Sequence, residues 1–382
     1  MTERKADDLT IIIPDLKSSG WLGGELYFSN LQNVVRAARP HTLFPVYDPS
    51  FRANVSDSFA SRIMRKLTGR KIATALHSVA EKHFRSIAPG DRSVIFSNAV
   101  VPYHGSIPYI YWIPDFQFLH LPDLATKEHI DACKRQSLLG AEAATLVMVS
   151  SNDAMKDLTS FLPAVKHKAR VVPFAKKAGS TTTIEEATAV RKKYQLPEFF
   201  FYVPNQFWKH KNHIVVLQAL AILKKKGGAV PVVFSGSIND FRNQEYFNDL
   251  LGFIATNDIR ENVILLGIIP YEDVLSLIRL SSAVINPSLF EGWSTTVEEV
   301  KMLGKRMLLS DLDVHREQAE GNAFYFRKED PEDLAEKISL LSTSAQELED
   351  EEKARRSSQE SEQRFANGFL NMVDEALSIG SK

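Results

Sequence analysis

The sequence predicts an α/β protein built on two doubly wound parallel sheets, and three observations support this prediction. Short runs of β-branched and aromatic residues alternate with helix-like patterns along the chain. The alternation stops in a polar stretch near residues 175–195 and starts again at Phe199. A chain of 382 residues is also long for one core. Strands and helices that alternate in both halves predict two Rossmann-like domains facing a central cleft.

The first half has five apolar runs that are typical of buried strands, and we assign residues 1–175 to the N-terminal domain. The loop after the first run contains Gly20, Gly23 and Gly24, which would let backbone approach a ligand closely. Its spacing is not GxGxxG, so a dinucleotide site is disfavoured. A tight turn is the other interpretation. The five runs are 9–14, 93–98, 108–113, 145–151 and 170–174.

The second half repeats the pattern, and we assign residues 195–360 to the C-terminal domain. Strands are predicted to start at Phe199 and to cover 230–235, 263–266, 283–285, 306–310 and 323–326. Helices are predicted at 212–226, 240–255, 271–281, 295–303 and 331–343. The charged stretch 345–363 is interpreted as a solvated helix or linker. A final amphipathic helix, residues 365–382, is a candidate for packing back on the first domain.

Composition limits the class of partner and the compartment. The net charge is −1, which gives no reason to expect nucleic acid as a partner. The single cysteine, Cys133, excludes an internal disulfide framework and a cysteine-rich metal site. No apolar run approaches the roughly 18 to 20 residues of a membrane span, and the N-terminus does not have the pattern of a signal peptide. We therefore expect a cytoplasmic protein.

Residues 61–85 form an amphipathic segment with seven Arg or Lys residues and one acid, Glu81. Such a local excess would suit contact with anionic lipid headgroups at the inner face of the cytoplasmic membrane. The other interpretation is a solvated helix face.

Two polar residues follow the apolar run 108–113. Asp115 and His120 would lie near the carboxyl end of a parallel strand, where open α/β sheets bind ligands. They are candidates for binding sugar hydroxyls or for proton transfer. A helix cap for Asp115 and a structural role for His120 are the alternatives.

The stretch Asn286–Glu299, with the sequence NPSLFEGWSTTVEE, joins a strand-like run to a helix-like run. Glu291 falls in the turn, and Glu299 follows after seven intervening residues, about one turn into the helix. Between them, Ser294, Thr295 and Thr296 occupy the expected helix N-terminus, where unpaired backbone N–H groups attract a diphosphate. The pattern suits a nucleoside diphosphate sugar. A capped helix with a solvated glutamate is the plain alternative.

Two further loops follow predicted strands of the same domain. Residues 204–213 contain Lys209 and Lys211, and a lysine there can neutralise phosphate charge. Ser235 and Gly236 are small residues that would let a ligand approach the backbone. Three such loops at one sheet edge predict a nucleotide site.

At this point the chain resembles a known family. The phrase NPSLFEGWSTTVEEVKMLGKRMLLSDLDVHREQAEGNAFYF is similar, nearly residue by residue, to the donor half of retaining GT-B glycosyltransferases with paired glutamates (glycosyltransferase family 4, group 1). WIPDFQFLHLPD and PNQFWKHKNH resemble a bacterial surface-polysaccharide branch of that family.

The resemblance implies a hexosyltransferase that retains anomeric configuration and uses no metal ion or other cofactor. Glu299 would bind the donor ribose, and Glu291 would lie against the transferred sugar. Backbone around Ser294, Thr295 and Thr296 would hold the diphosphate together with the two lysines.

On the same resemblance, Gly23 and Gly24 of the acceptor-binding first domain would close over the same phosphates. GDP-mannose is the first expected donor and a UDP-sugar the next. The acceptor would be a glycan or lipid-linked oligosaccharide. The enzyme would act as a mannosyltransferase in the synthesis of a cell-surface polysaccharide such as lipopolysaccharide.

Two departures from the family pattern stand out. Many relatives carry an arginine where this chain has Asn205 or Gln206, and a histidine where it has Pro114. A sugar-nucleotide epimerase of similar shape and a non-catalytic nucleotide-sugar-binding subunit therefore stay open as alternatives.

Overall fold

The computed structural model describes residues 8–16, 22–49, 69–88, 90–101, 104–177, 183–240, 242–343 and 351–380. The chain divides into two units. The first comprises Met1–Phe116, Glu128–Lys177 and Glu362–Lys382, and the second comprises Gln117–Lys127 and Ala178–Ser361. Residues Gln117–Lys127 thus belong to the second unit although they come from the first half of the chain.

The first unit contains a six-stranded sheet in the order β2-β1-β3-β4-β5-β6, with every described pairing parallel. Its strands are β1 (Thr10–Pro14), β2 (Val46–Tyr47), β3 (Ser93–Ser97), β4 (Tyr109–Trp112), β5 (Leu146–Val149) and β6 (Ala169–Val171). The helices in this part of the chain are α1 (Leu22–Ala38), α2 (Gly69–Ile87), α3 (Gln117–His120), α4 (Lys127–Ala143) and α5 (Asn152–Phe161), with 3₁₀ turns at Pro122–Leu124 and Pro163–Lys168.

The C-terminal residues complete the core of the first unit. Tyr27 of α1 stacks on Trp112 of β4 with ring centroids 3.8 Å apart, and Phe365 meets Tyr27 edge-on. Phe369 packs edge-on against Phe96 at 4.9 Å. These large aromatic contacts explain why residues Glu362–Lys382 belong to this unit.

The second unit contains another parallel six-stranded sheet, in the order β12-β11-β10-β7-β8-β9. Its strands are β7 (Phe201–Val203), β8 (Val232–Phe234), β9 (Val263–Leu265), β10 (Ala283–Asn286), β11 (Met307–Ser310) and β12 (Phe324–Phe326). The helices are α6 (Ile184–Lys193), α7 (His213–Lys225), α8 (Tyr246–Thr256), α9 (Tyr271–Leu280), α10 (Thr295–Met302), α11 (Asp313–Ala319), α12 (Pro331–Thr343) and α13 (Glu351–Gly380, which continues into the first unit), with 3₁₀ turns at Lys209–Lys211 and Arg260–Asn262.

Strand order in the second sheet reverses between β7 and β10. Counted along the chain, the order is 3-2-1-4-5-6, that of the Rossmann fold, and β7 and β10 are the first and fourth strands. Open parallel sheets bind ligands outside the carboxyl ends of the strands at such a reversal. The topology therefore points to the loops that follow β7 and β10.

Both faces of the second sheet are buried. Alternate residues point to opposite sides, so Phe201 and Ile285 join one apolar cluster while Tyr202 and Val284 join the other. Helices cover each cluster, which is the arrangement that parallel strands require. The rigid sheet holds the loops at its carboxyl edge in place.

The predicted alternation of strands and helices is confirmed, with most helix ends within a few residues of the prediction. One local expectation is wrong: Gly23 and Gly24 do not lie in a loop but in the first turn of α1, which begins at Leu22. Residues 61–68 of the basic segment and Gly20 lie outside the described residues. Among the described residues, no helix is both long and apolar enough to cross a membrane.

Candidate functional site

The loop after β10 brings a buried ion pair to the carboxyl edge of the second sheet. Lys211 ends the 3₁₀ turn that follows β7, and its Nζ lies 2.6 Å from Oε1 of Glu291 in the loop after β10. The side chains are only 16% and 8% exposed. The two residues therefore meet at the strand-order reversal.

Burial by itself would raise the pKa of Glu291. The charge and hydrogen bond of Lys211 outweigh that effect, and the Ser288 hydroxyl 2.6 Å away adds to it, so the pKa of Glu291 falls to about 2. His315 lies near this carboxylate, but burial lowers the pKa of His315, and its Nδ1–H donates to the Ser310 carbonyl at 2.8 Å. The imidazole is thus neutral at pH 7, and Lys211 supplies the positive charge.

The loop that carries Glu291 is tied down on both sides. The Leu289 amide donates to the His210 carbonyl at 2.8 Å, which joins the loop to the turn after β7. The Ser310 hydroxyl donates to the Ser288 carbonyl at 2.6 Å, which joins it to the end of β11. These bonds place Glu291 before any ligand arrives.

Helix α10 begins at the end of the same loop. Its N-cap, Ser294, accepts from the Val297 amide and also receives a hydrogen bond from Asn286 Nδ2 at 2.8 Å. Thr295 and Thr296 form the first turn, with Thr295 exposed and Thr296 buried. Their amides precede the first i→i−4 donor of the helix and therefore suit an anion.

A buried glutamine fixes the start of α10. Gln318 of α11 accepts from the Ser294 amide at 3.1 Å and donates to the Ser294 carbonyl at 2.6 Å. Its Nε2 also donates to Glu298 at 2.8 Å. The Ser294 amide is thus bonded within the protein, and its contact with the diphosphate stays a prediction.

Glu299 lies one turn into α10 and is 7% exposed. The hydroxyl of Tyr271, the first residue of α9, donates to Glu299 Oε1 at 3.0 Å. Sequence reasoning did not find Tyr271, since a tyrosine at a helix start has no distinctive pattern.

Ser235 and Gly236 follow β8 as predicted, and both make close contacts within the protein, while their contact with a donor stays a prediction. The Ser235 hydroxyl lies 2.5 Å from the hydroxyl of Tyr202. A Cβ on Gly236 would come within 2.5 Å of the Asn205 carbonyl, and the φ of this glycine is +147°. Glycine is needed here because the backbone after β7 passes directly over it.

Lys209 has an exposed side chain, while its amide donates to Asp240 Oδ2 at 3.0 Å. Asp240 also pairs with Arg242, whose guanidinium lies 5.2 Å from the Trp208 ring and donates to Gln117 at 2.9 Å. Arg242 is a further cation beside this turn, in addition to the two lysines, that sequence reasoning missed. Its position could be found only from the folded loop.

His120 and Asp115 fall in different units. His120 is exposed and stacks on Phe290, next to Glu291, with ring centroids 4.9 Å apart. Asp115 is exposed and lies in the first unit. Burial of the Cys133 thiol raises the pKa of that thiol, and the charge of Asp115 adds to this effect. The structure thus places His120, but not Asp115, in the unit that contains Glu291.

Known proteins resemble this chain in sequence over its second half. Residues 184–364 match the family model described as "Glycosyl transferases group 1". Over these residues the chain matches a group 1 glycosyltransferase domain. This group 1 domain contains Lys211, Glu291 and Glu299, whereas Asp115 and His120 lie outside it. No curated protein sequence matches the chain significantly.

Solved structures resemble the whole chain. HepE from Anabaena, in complex with UDP and glucose, has a TM-score of 0.69 at 18% identity, covering 98% of this chain and 100% of HepE. A glycosyltransferase from Rickettsia africae has a TM-score of 0.64 at 17% identity, with 98% of each chain covered. Sucrose-phosphate synthase from Thermosynechococcus elongatus has a TM-score of 0.62 at 14% identity, also with 98% of each chain covered. The fold predicted from the sequence, GT-B with two Rossmann-like domains, is confirmed.

Proposed function

We propose that this protein is a retaining glycosyltransferase that moves a hexose from a nucleoside diphosphate sugar to a glycan or lipid-linked acceptor. The observation that carries the proposal is the buried Lys211–Glu291 pair at the strand-order reversal of a group 1 domain. A cation and a carboxylate at that position suit a diphosphate and a sugar hydroxyl.

The chemistry follows from these groups. Departure of the nucleoside diphosphate builds negative charge, which Lys211 and the amides of Thr295 and Thr296 would stabilise. Lys211 would exchange its contact with Glu291 for the phosphates, and Glu291 would then accept a hydrogen bond from the transferred sugar. Because these groups neutralise the leaving diphosphate, we propose a reaction that needs no metal ion or cofactor.

The proposed roles of the other residues follow from their positions. Glu299 would bind the ribose hydroxyls, with Lys209 near the phosphates. Contact of His120 with Phe290, beside Glu291, supports a part for His120 near the transferred sugar. Asp115, Gly23 and Gly24 of the first unit stay candidates from the sequence.

The donor is proposed by class. GDP-mannose is the expectation from sequence, and a UDP-sugar gains support from HepE, whose structures contain UDP and UDP-glucose. The acceptor, a role in cell-surface polysaccharide synthesis and contact of residues 61–85 with a membrane are further proposals.

The test is a thermal-shift screen of UDP, GDP and their sugar conjugates, followed by donor turnover with and without acceptors. We expect one nucleotide family to raise the melting temperature, slow donor hydrolysis without acceptor, and insensitivity to a chelator. Glu299→Ala should abolish turnover and weaken donor binding. Conversion of the donor to an isomer would indicate an epimerase, whereas binding without any turnover would indicate a non-catalytic subunit.

A further inference from the structure

Tyr271 connects two helices of the second unit, α9 and α10, which follow strands that are not neighbours in the sheet. It follows the loop after β9, the edge strand of the sheet, whereas Glu299 belongs to the helix after β10. In the sheet, β7 and β8 lie between those strands. The phenol therefore reaches across the carboxyl edge of the sheet to the carboxylate.

The contact is of a kind that orients a side chain. A glutamate has three rotatable bonds and can turn its carboxylate freely, whereas a tyrosine has a rigid ring and few rotamers. With the Tyr271 hydroxyl 3.0 Å from Oε1, the plane of the Glu299 carboxylate is constrained. Burial, and then the charge of Glu299, raise the pKa of Tyr271, so the phenol remains a donor at any physiological pH.

Burial increases the effect of this hydrogen bond on the orientation of the Glu299 carboxylate. Glu299 is 7% exposed, so water has little access with which to replace the phenol. Burial raises the pKa of Tyr202, and the charge of Glu299 adds to this effect; the Tyr202 hydroxyl contacts Ser235 after β8. The Glu299 side chain is thus held close to the loops at the carboxyl edge of the sheet, and it does not lie on the solvent-exposed side of α10.

We propose that Tyr271 is a positioning residue that holds the Glu299 carboxylate in the orientation required to recognise the ribose hydroxyls of the nucleotide. This inference rests on the proposed function, in which Glu299 binds the ribose. It adds a residue that determines how strongly the site distinguishes a ribonucleotide from its deoxy analogues.

The experiment compares Tyr271→Phe with the unchanged protein, using calorimetry with UDP and 2′,3′-dideoxy-UDP, and with the corresponding GDP pair. We expect the Kd for the ribonucleotide to rise about tenfold. The Kd for the dideoxynucleotide should stay the same, because that ligand has no hydroxyls for Glu299 to bind. In a Glu299→Gln background, Tyr271→Phe should have little further effect on the ribonucleotide.

Tyr194→Phe is the matched control. Tyr194 also donates to a carboxylate on α9, Asp273, at 2.6 Å, so the variant removes the same type of bond from the same helix. It should leave both Kd values unchanged. Equal losses for both nucleotides in Tyr271→Phe, or no loss for either, would overturn the inference. Failure of the unchanged protein to bind any of the nucleotides would overturn the proposed function and the inference together.

Discussion

The buried pair of Lys211 and Glu291 yields a quantitative prediction for Glu291→Gln. Glutamine keeps the shape and a hydrogen-bond acceptor but removes the charge, which leaves the 16%-exposed Lys211 without its counter-ion. A carboxyl whose pKa is lowered from 4.5 to about 2 is stabilised in its charged form by about 3 kcal/mol. Removing one partner of a buried pair costs a similar amount, about 3 to 5 kcal/mol.

The variant should therefore unfold more easily at neutral pH. A loss of about 3 kcal/mol corresponds to a melting temperature lower by roughly 6 to 12 °C for a domain of this size, measurable by scanning calorimetry. In the unchanged protein this stabilisation is present above pH 4.5, because the pKa of Glu291 is lowered by folding. It is lost as the pH falls towards about 2, and Glu291→Gln should lack this part of the acid transition.

Binding should change in the opposite direction. In the unchanged protein a diphosphate competes with Glu291 for Lys211, whereas in the variant it supplies the missing counter-ion. We expect the Kd of UDP or GDP, whichever binds, to fall about tenfold in isothermal calorimetry, so that the binding free energy becomes more favourable by about 1.4 kcal/mol. Sugar transfer should be lost.

Glu352→Gln is the matched control for this prediction. Glu352 pairs with Arg356 on α13 within the second unit, but the two side chains are 64% and 66% exposed, so water replaces the lost contact and the same substitution should change stability and binding little. An unchanged melting temperature together with unchanged or weaker diphosphate binding in Glu291→Gln would refute the reasoning.

Two more substitutions test residues that hold the loop after β7 and the start of α10 in place. Gly236→Ala should destabilise the protein by about 2 to 4 kcal/mol in denaturant unfolding, since its Cβ would meet the Asn205 carbonyl at 2.5 Å. Gly252→Ala, where no atom lies within 4 Å, should be neutral or stabilising, and equal effects of the two would contradict this account. Gln318→Met removes the hydrogen bonds to Ser294 and should weaken diphosphate binding about tenfold. Nucleoside binding, also measured by isothermal calorimetry, should be unchanged. Equal losses for the diphosphate and the nucleoside would indicate general unfolding.

Local sequence patterns were enough to predict most elements. The helix starting at Thr295 and the helix over 331–343 were predicted to within one residue, since apolar periodicity and capping residues are local signals. The loop predicted around Gly23 and Gly24 is instead the start of α1, which begins at Leu22. Two glycines disfavour a helix by propensity, yet Gly23 and Gly24 lie in its first turn.

Contacts between residues far apart in the chain could not be predicted from the sequence. Tyr271 and Glu299 are 28 residues apart, and Lys211 and Glu291 are 80 apart, so no periodicity links them. Gly236 was expected to leave room for a ligand, whereas its neighbour is backbone at Asn205. Such pairings depend on which strands adjoin in the sheet.

The sequence by itself determined the class of fold, two α/β units, and the residue types that suit a diphosphate and a sugar, because helix and strand periodicity and helix capping are properties of neighbouring residues. The tertiary structure alone decided that β7 adjoins β10, and hence that Lys211 meets Glu291. It also decided that the segment Gln117–Lys127 joins the second unit, because contacts between residues far apart in the chain depend on how the sheet is assembled.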